Sequence, residues 1–257
     1  MCKWLLKYMV NQELTPLIKE VANIIANSRS SVALTGAGIS VESGVPPFRG
    51  KHGLWERYDP VEYAHIASLK RDPGKVWRML GELVVICQDA QPNEAHISLA
   101  RLEKMGLLDG IITQNIDGLH QKAGSREVVE FHGGNTTMSC MGCRKKYLSN
   151  DISLKTIPPL CSCGGVLRPD FVFFGEPIPQ ACIDRSIELA ANCEVMIIIG
   201  TTGIVMPSAQ MPYLAKSTGA ELFEINPEKS AFSNIVDIFL PGKAAETMES
   251  IMANIPH

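Results

Sequence analysis

The stretch that most constrains what this chain can become is Val32–Gly50, VALTGAGISVESGVPPFRG. The apolar run Ser31–Leu34 has the make-up of a strand buried on both faces of a parallel sheet. Gly36, Ala37 and Gly38 follow at once, then the hydroxyl of Ser40. Small residues between a strand and a helix N-terminus let backbone N–H groups approach a phosphate, and the helix adds partial positive charge. The third glycine of the dinucleotide fingerprint is absent from its usual place. The chain runs instead into Val45–Pro46–Pro47–Phe48–Arg49, a stiff segment ending in an aromatic ring and a cation. Taken alone, the loop fits a glycine turn without a ligand as well as a nucleotide cradle.

The rest of the chain alternates strand and helix signals. Gly110–Thr113, Val128–Phe131, Phe171–Phe174, Val195–Ile199, Leu222–Ile225 and Val236–Leu240 read as strands. Helices are expected from Thr15–Pro16, within residues 58–69, from Asp72–Pro73, from Asn93 to a stop at Gly106, and over Pro179–Ala191, Ser208–Lys216 and Ala244–Ala253. Such alternation predicts an α/β fold, a parallel sheet with helices on both faces. Ligands of these sheets bind beyond the carboxyl ends of the strands. Gly36, Gln114, Asn115, Asp117, His132, Gly200 and Asn226 all fall at such ends.

The totals narrow the function classes. The chain has 257 residues, enough for one large domain or one domain with a small insert. A net charge of −3 provides no positive field for nucleic acid or an anionic membrane. No apolar run approaches the roughly 18 residues of a membrane helix. The N-terminus lacks a small-residue cleavage site, so a cytoplasmic protein is expected.

Of eight cysteines, Cys140, Cys143, Cys161 and Cys163 crowd together in a polar segment with little periodicity. Two pairs separated by 17 residues have the count and spacing of a closed structural zinc site, although only one residue parts the second pair. Four thiolates leave no position for a catalytic water, so the metal is expected to staple the fold. Cys87, Cys182 and Cys193 lie in apolar or helical surroundings and read as buried thiols.

His132 is a candidate general base, since an imidazole titrates near working pH. Gln114 and Asn115 offer amides to a ribose or carboxamide, and Asp117 offers a carboxylate. Asn115 and Asp117 also suit the cap of a helix over Gly118–Lys122. Phe171–Pro177, FVFFGEP, reads either as a core strand with a turn or as an exposed edge that pairs with a peptide.

Assembled in order, GAGIS with SGVPPFRG, TQNID, FHG, the two cysteine pairs, VFFGE, GTT and INPE resemble the sirtuins, NAD-dependent protein-lysine deacylases, over roughly residues 20–250. The resemblance implies one catalytic domain over 1–257. It has a Rossmann-like core, a helical insert at 51–88 and a zinc ribbon at 136–169. Gly36, Ala37, Gly38 and Arg49 are then expected at the NAD phosphates and adjoining ribose, with Phe48 over nicotinamide. Gln114, Asn115, Ile116 and Asp117 are expected at the nicotinamide end, with Asn115 and His132 catalytic. Gly200, Thr201, Thr202, Asn226, Pro227 and Glu228 are expected to bind the adenosine half, with Lys243 and Ala244 behind the adenine. Val172, Phe174, Gly175 and Glu176 would meet an acylated lysine in an extended peptide.

The implied reaction consumes NAD, moves the acyl group from lysine to ADP-ribose and releases nicotinamide. Pro47, Gly134 and Thr202 depart from the common family pattern without removing a group this chemistry needs. Sirtuins that prefer succinyl or malonyl lysine carry a Tyr and an Arg about three residues apart in the helix at 76–87. The matching positions here are Leu80 and Leu83, which favour acetyl or longer fatty acyl groups over a carboxylate. Mono-ADP-ribosyl transfer to protein would use the same NAD cleavage. A non-catalytic NAD-sensing module would have no use for His132.

Overall fold

The computed structural model describes residues 3–50 and 53–256, with residues 3–13 described by backbone alone. Lys51 and His52, which open the expected helical insert, lie outside the described residues, as do Met1, Cys2 and His257.

Helix α1 (Lys3–Asn27) begins upstream of Thr15, so Pro16 sits inside the helix and not at its first turn. A proline deletes one i→i−4 bond, and the helix persists here because Val21 and Ile25 anchor it fully buried in the core. Strand β1 (Ser31–Thr35) follows, then a 3₁₀ turn over Ala37–Ser43 closed by Gly44 at φ +85°. Residues 58–69 hold two short helices in place of one. After α2 (Leu54–Arg57) come α3 (Pro60–Tyr63) and α4 (Ile66–Arg71), each opened by its own cap, Asp59 or His65. Asp72 caps α5 (Pro73–Asp89) by accepting from the Lys75 N–H. Asn93 and His96 form a reciprocal capping box on α6 (Glu94–Lys104), which stops at Gly106 with φ +74°.

Strand β2 (Gly110–Thr113), helix α7 (Leu119–Ala123) and strand β3 (Val128–Glu130) come next. The cysteine segment forms β4 (Gly133–Cys140), β5 (Lys146–Leu148) and β6 (Leu167–Phe171). Helix α8 (Gln180–Asn192), β7 (Val195–Ile199), α9 (Met211–Ser217), β8 (Glu221–Asn226), β9 (Ile238–Pro241) and α10 (Ala244–Ala253) complete the chain.

Six strands pair in parallel in the order β3-β2-β1-β7-β8-β9. One face is covered by α1, α6 and α10 around Val21, Leu99, Phe223 and Met248. The other is covered by α8 and α9 around Leu34, Phe131, Ile198 and Leu222. The chain turns outward in opposite directions from β1 and β7, which opens a crevice at their carboxyl ends.

The second sheet is antiparallel, in the order β5-β4-β6. It shares a core with α4 and α5, centred on the fully buried Trp77, whose indole N–H donates to the Leu167 carbonyl at 2.8 Å. The run Phe171–Phe174 divides between the two readings given for it, a strand end and an extended edge. Phe171 ends β6 of this small sheet, and residues 172–174 continue as extended chain bridged at His65 and Phe174. Phe171 and Phe173 point into the shared core while Phe174 is 44% exposed, an alternation that an all-apolar run conceals.

Candidate active site

The crevice widens into a cleft of about 910 Å³ between the parallel sheet and the smaller sheet. Its walls hold Gly36, Ala37, Gly38, Phe48 and Arg49 from the first loop, and Gln114, Asn115 and Ile116 after β2. His132 joins them after β3, Val172, Phe174, Gly175 and Glu176 after β6, and Gly200, Thr201 and Thr202 after β7. Asn226, Pro227 and Glu228 follow β8. Asp117, Lys243 and Ala244 do not line it. Ala244 is buried at the start of α10, where the next residue, Ala245, donates its N–H to the Glu42 carboxylate at 2.8 Å.

The glycines work differently from a simple phosphate nest. The Gly36 N–H donates to the Ile199 carbonyl at 3.0 Å and the Gly38 N–H to the Gly200 carbonyl at 2.8 Å. A Cβ on Gly36 would stand 2.8 Å from the Gly200 oxygen, and one on Gly38 2.6 Å from the Gly200 Cα. Two of the expected phosphate donors are therefore spent on interlocking the loops after β1 and β7. The glycines bring these backbones into contact, and Thr201 is drawn to the same point, where its Oγ1 accepts from Gln114 Nε2 at 3.0 Å.

Asn115 is 5% exposed. Its Nδ2 donates to the Gly36 carbonyl and to Ser40 Oγ, both at 3.2 Å, so Oδ1 is the atom it offers a ligand. Beneath it, Asp117 accepts from Ser40 Oγ at 2.7 Å and from the Leu119 N–H at 3.0 Å. The latter bond ties Asp117 to the first turn of α7, close to the capping reading although the N-cap position itself is Gly118, and leaves the carboxylate behind Asn115 and off the cleft wall. Burial raises the Asp117 carboxyl above its ordinary pKa, opposed by these donors.

His132 Nδ1 lies 3.1 Å from the Gln114 carbonyl. A carbonyl only accepts, so the ring proton of the neutral form is on Nδ1 and Nε2 carries the lone pair. Burial holds the imidazole below its usual pKa, against the pull of that hydrogen bond. The Val172 N–H donates to the His132 carbonyl at 2.8 Å and ties the extended segment to the base. Glu176 lines the cleft, but its carboxylate is engaged. Arg168 grips it with two bonds of 2.6 and 2.8 Å, the Phe173 N–H adds a third at 3.0 Å, and the guanidinium lies over the Phe173 ring.

Several lining residues had no sequence signal. Trp55 stacks on Phe48 with ring centroids 5.4 Å apart and approaches Phe174 at 6.3 Å. From α5, Met79 reaches the cleft without such a signal, beside Leu83, one of the two leucines expected at the acyl group; the other, Leu80, is wholly within the core and does not line the cleft. Ile204–Pro207 closes the opposite rim.

About the second sheet's cysteines, the four Sγ atoms lie within 4.8 Å of one another, with Cys140–Cys163 and Cys143–Cys161 each 3.6 Å apart. A tetrahedron with Zn–S bonds of about 2.3 Å has edges of about 3.8 Å, so the donor set fits a closed four-thiolate zinc site.

A family profile described as the Sir2 family matches residues 36–207. A curated relative from Pyrobaculum aerophilum, named NAD-dependent protein deacylase 2, is 47% identical over 91% of this chain and 94% of its own length. One from Aeropyrum pernix, named NAD-dependent protein deacylase, is 47% identical over 90% and 95%. Among solved structures, a Sir2 homologue in complex with NAD superimposes with a TM-score of 0.85 at 41% identity, covering 92% of this chain and 93% of its own. A Sir2 bound to a p53 peptide and NAD⁺ gives 0.84 at 35% identity, over 92% and 97%. With the sheet, the cleft and the cysteine quartet already in place, these matches settle the ancestry: the chain belongs to the Sir2 family.

Proposed function

We propose that this chain is an NAD-dependent protein-lysine deacylase in which His132 is the general base and Asn115 fixes the nicotinamide end. The observation that carries this reading is the His132–Gln114 bond. It fixes the tautomer and turns a basic Nε2 toward a cleft with a nucleotide-sized floor and an extended peptide-like edge. Bound NAD supplies a glycosidic carbon to the acyl oxygen and a ribose hydroxyl to receive the acyl group.

The chain's residues bind, orient and exclude water. The interlocked glycines give the pyrophosphate a floor without side chains, and Arg49 offers it a cation. Asn115 Oδ1 accepts from a ribose hydroxyl or a carboxamide N–H. Phe48 and Trp55 cover the reacting end, so the pocket excludes the water that would hydrolyse a cationic sugar. His132 Nε2 takes the ribose proton. The Val172 carbonyl accepts from the substrate lysine N–H, with Phe174 and Gly175 lining its path. Met79, Leu83, Ile116 and Phe171 give the acyl chain an apolar lining, which accepts acetyl or a fatty acyl group and leaves a succinyl carboxylate unpaired.

The insert expected at 51–88, described from residue 53 on, and the ribbon 136–169 act as one small lobe set on the Rossmann-like core, a division supported by the core they share. No described helix is long and apolar enough to cross a membrane.

The test is purified protein, NAD and a panel of peptides carrying acetyl-, fatty-acyl- and succinyl-lysine, read by mass spectrometry. Loss of the acyl mass with release of nicotinamide is expected for the first two. Gain of an ADP-ribose mass on the peptide, or no turnover on any peptide, would replace this reading. The rate should fall on the acid side as His132 takes up a proton at Nε2. Because burial depresses its pKa, that limb should lie below the ordinary histidine value of about 6.5.

A further inference from the structure

Two buried histidines lie beneath the cleft floor, and the chemistry above uses neither. His96 comes from α6 and His120 from α7, 0% and 1% exposed, with ring centroids 4.9 Å apart. His120 Nε2 is 2.9 Å from Thr35 Oγ1, at the end of β1. Thr35 Oγ1 donates to Thr113 Oγ1 at 2.9 Å, at the end of β2. The Asn115 backbone N–H donates to that same Thr113 oxygen at 3.1 Å. A hydroxyl has one proton. Thr35 gives its proton to Thr113, so it accepts from His120, and the ring proton is on Nε2. At the other end of the ring, Nδ1 is buried and has no protein partner among the described residues. A proton there would be a buried donor without an acceptor, which the fold avoids by this choice of tautomer.

We infer that His120 is a positioning residue whose Nε2–H, relayed through the hydroxyls of Thr35 and Thr113, fixes the backbone at Asn115 and so aims Asn115 Oδ1 into the cleft. The chain of bonds is continuous and crosses three elements. Its last member is the N–H of the residue that faces the ligand. The reach is sideways, from α7 through the ends of the neighbouring strands β1 and β2, and does not pass through the Ser40–Asp117 bond that supports the Asn115 side chain from the other side. Simple core packing needs a ring of this volume at 120 but no N–H at one particular corner of it.

The experiment separates these roles. This inference rests on the reading of Asn115 given above, so one readout is independent of turnover. His120→Leu keeps bulk and loses the donor, His120→Gln returns a donor at the end of a flat side chain, and Thr35→Val removes the relay with almost no change of volume. Amide hydrogen exchange at Asn115 should speed up about tenfold in His120→Leu and in Thr35→Val, with β7 amides unchanged, for a lost hydrogen bond of ordinary strength. In the same two variants kcat on the acetyl-lysine peptide should fall about tenfold with little change in the peptide KM, and His120→Gln should recover most of it. The two substitutions should also be non-additive when combined, because they cut one chain of bonds. Unchanged Asn115 exchange in Thr35→Val overturns the inference, as does equal impairment of the Leu and Gln variants. If His120→Leu does not fold, Thr35→Val decides alone. Faster Asn115 exchange in a protein whose wild type never turns over NAD would keep the relay and discard the deacylase reading.

Discussion

In the parallel sheet, Val32, Ala33 and Leu34 of β1 and Ile197, Ile198 and Ile199 of β7 are wholly buried between two helical layers. In the small antiparallel sheet, Met138 and Leu167 are buried as deeply, but Leu148 is 60% exposed and β5 offers only a half-buried Tyr147 between exposed neighbours. The first sheet has apolar area on both faces to offset the cost of ordering its chain. The second has one face against α4 and α5 and draws the rest of its definition from four thiolates. The catalytic cleft lies between them, so activity needs both kinds of cohesion while the bulk fold needs only one.

The comparison can be broken most sharply at the metal. Chelation, or Cys161→Ala, should unfold the ribbon and abolish turnover, because structural zinc sites contribute about 10 kcal/mol to the folding of their modules. Far-UV circular dichroism should still report the helices of the large sheet. Full activity in protein shown by elemental analysis to be metal-free would end the argument. His132→Ala is the opposite lesion, chemical and not architectural. It should lower kcat by about 10²–10⁴ with the thermal midpoint unchanged.

Acid should find the large sheet's weak point. His96 is held neutral by burial, its pKa lowered to about 4, and His120 is lowered too, by burial and by His96. The unfolded chain takes up these protons first. The stability they represent is therefore present above about pH 6.5 and is lost as pH falls through that value toward 4, about 3 kcal/mol for His96 alone. Urea midpoints measured between pH 7 and 4.5 should fall accordingly, and a flat profile would mean that the rings are not buried as neutral groups. The smallest effect is expected at the seam. Arg168→Met frees Glu176 and loosens the Phe173–Phe174 edge, so the peptide KM should rise about tenfold while the NAD KM stays put. A change confined to NAD would place the clamp on the wrong side of the cleft.

The same contrast explains what the amino-acid sequence disclosed. Gly110–Thr113 and Val195–Ile199 occupy the residues expected of them, because a strand buried on both faces has to be a continuous apolar run. The cysteine quartet was legible because ligand spacing is a local property, and the strand-end polar residues because topology collects them at one edge. That Phe171 joins the small sheet was not legible, since four apolar residues in a row do not say which sheet they join. The engagement of Glu176 by Arg168 and the contribution of Trp55 and Met79 to the cleft were invisible for another reason. Periodicity reports that a residue is buried and never names the partner it is buried against. The role of Gly36 and Gly38 was only half read, since spacing revealed that a backbone must come close but not that it belongs to Gly200.

That last contact bears on how the protein is made. Strand β1 pairs with β2 on one side and with β7 on the other, and β7 is synthesised some 160 residues later. A nascent chain that has produced β1, β2 and β3 therefore carries half a sheet whose inner edge, Ser31–Thr35, is apolar and unpaired. Until Val195–Ile199 leaves the ribosome there is neither a partner for that edge nor a Gly200 for the loop of Gly36 and Gly38 to close on. The nucleotide floor is thus among the last features to form during synthesis, although its first half is among the earliest to emerge.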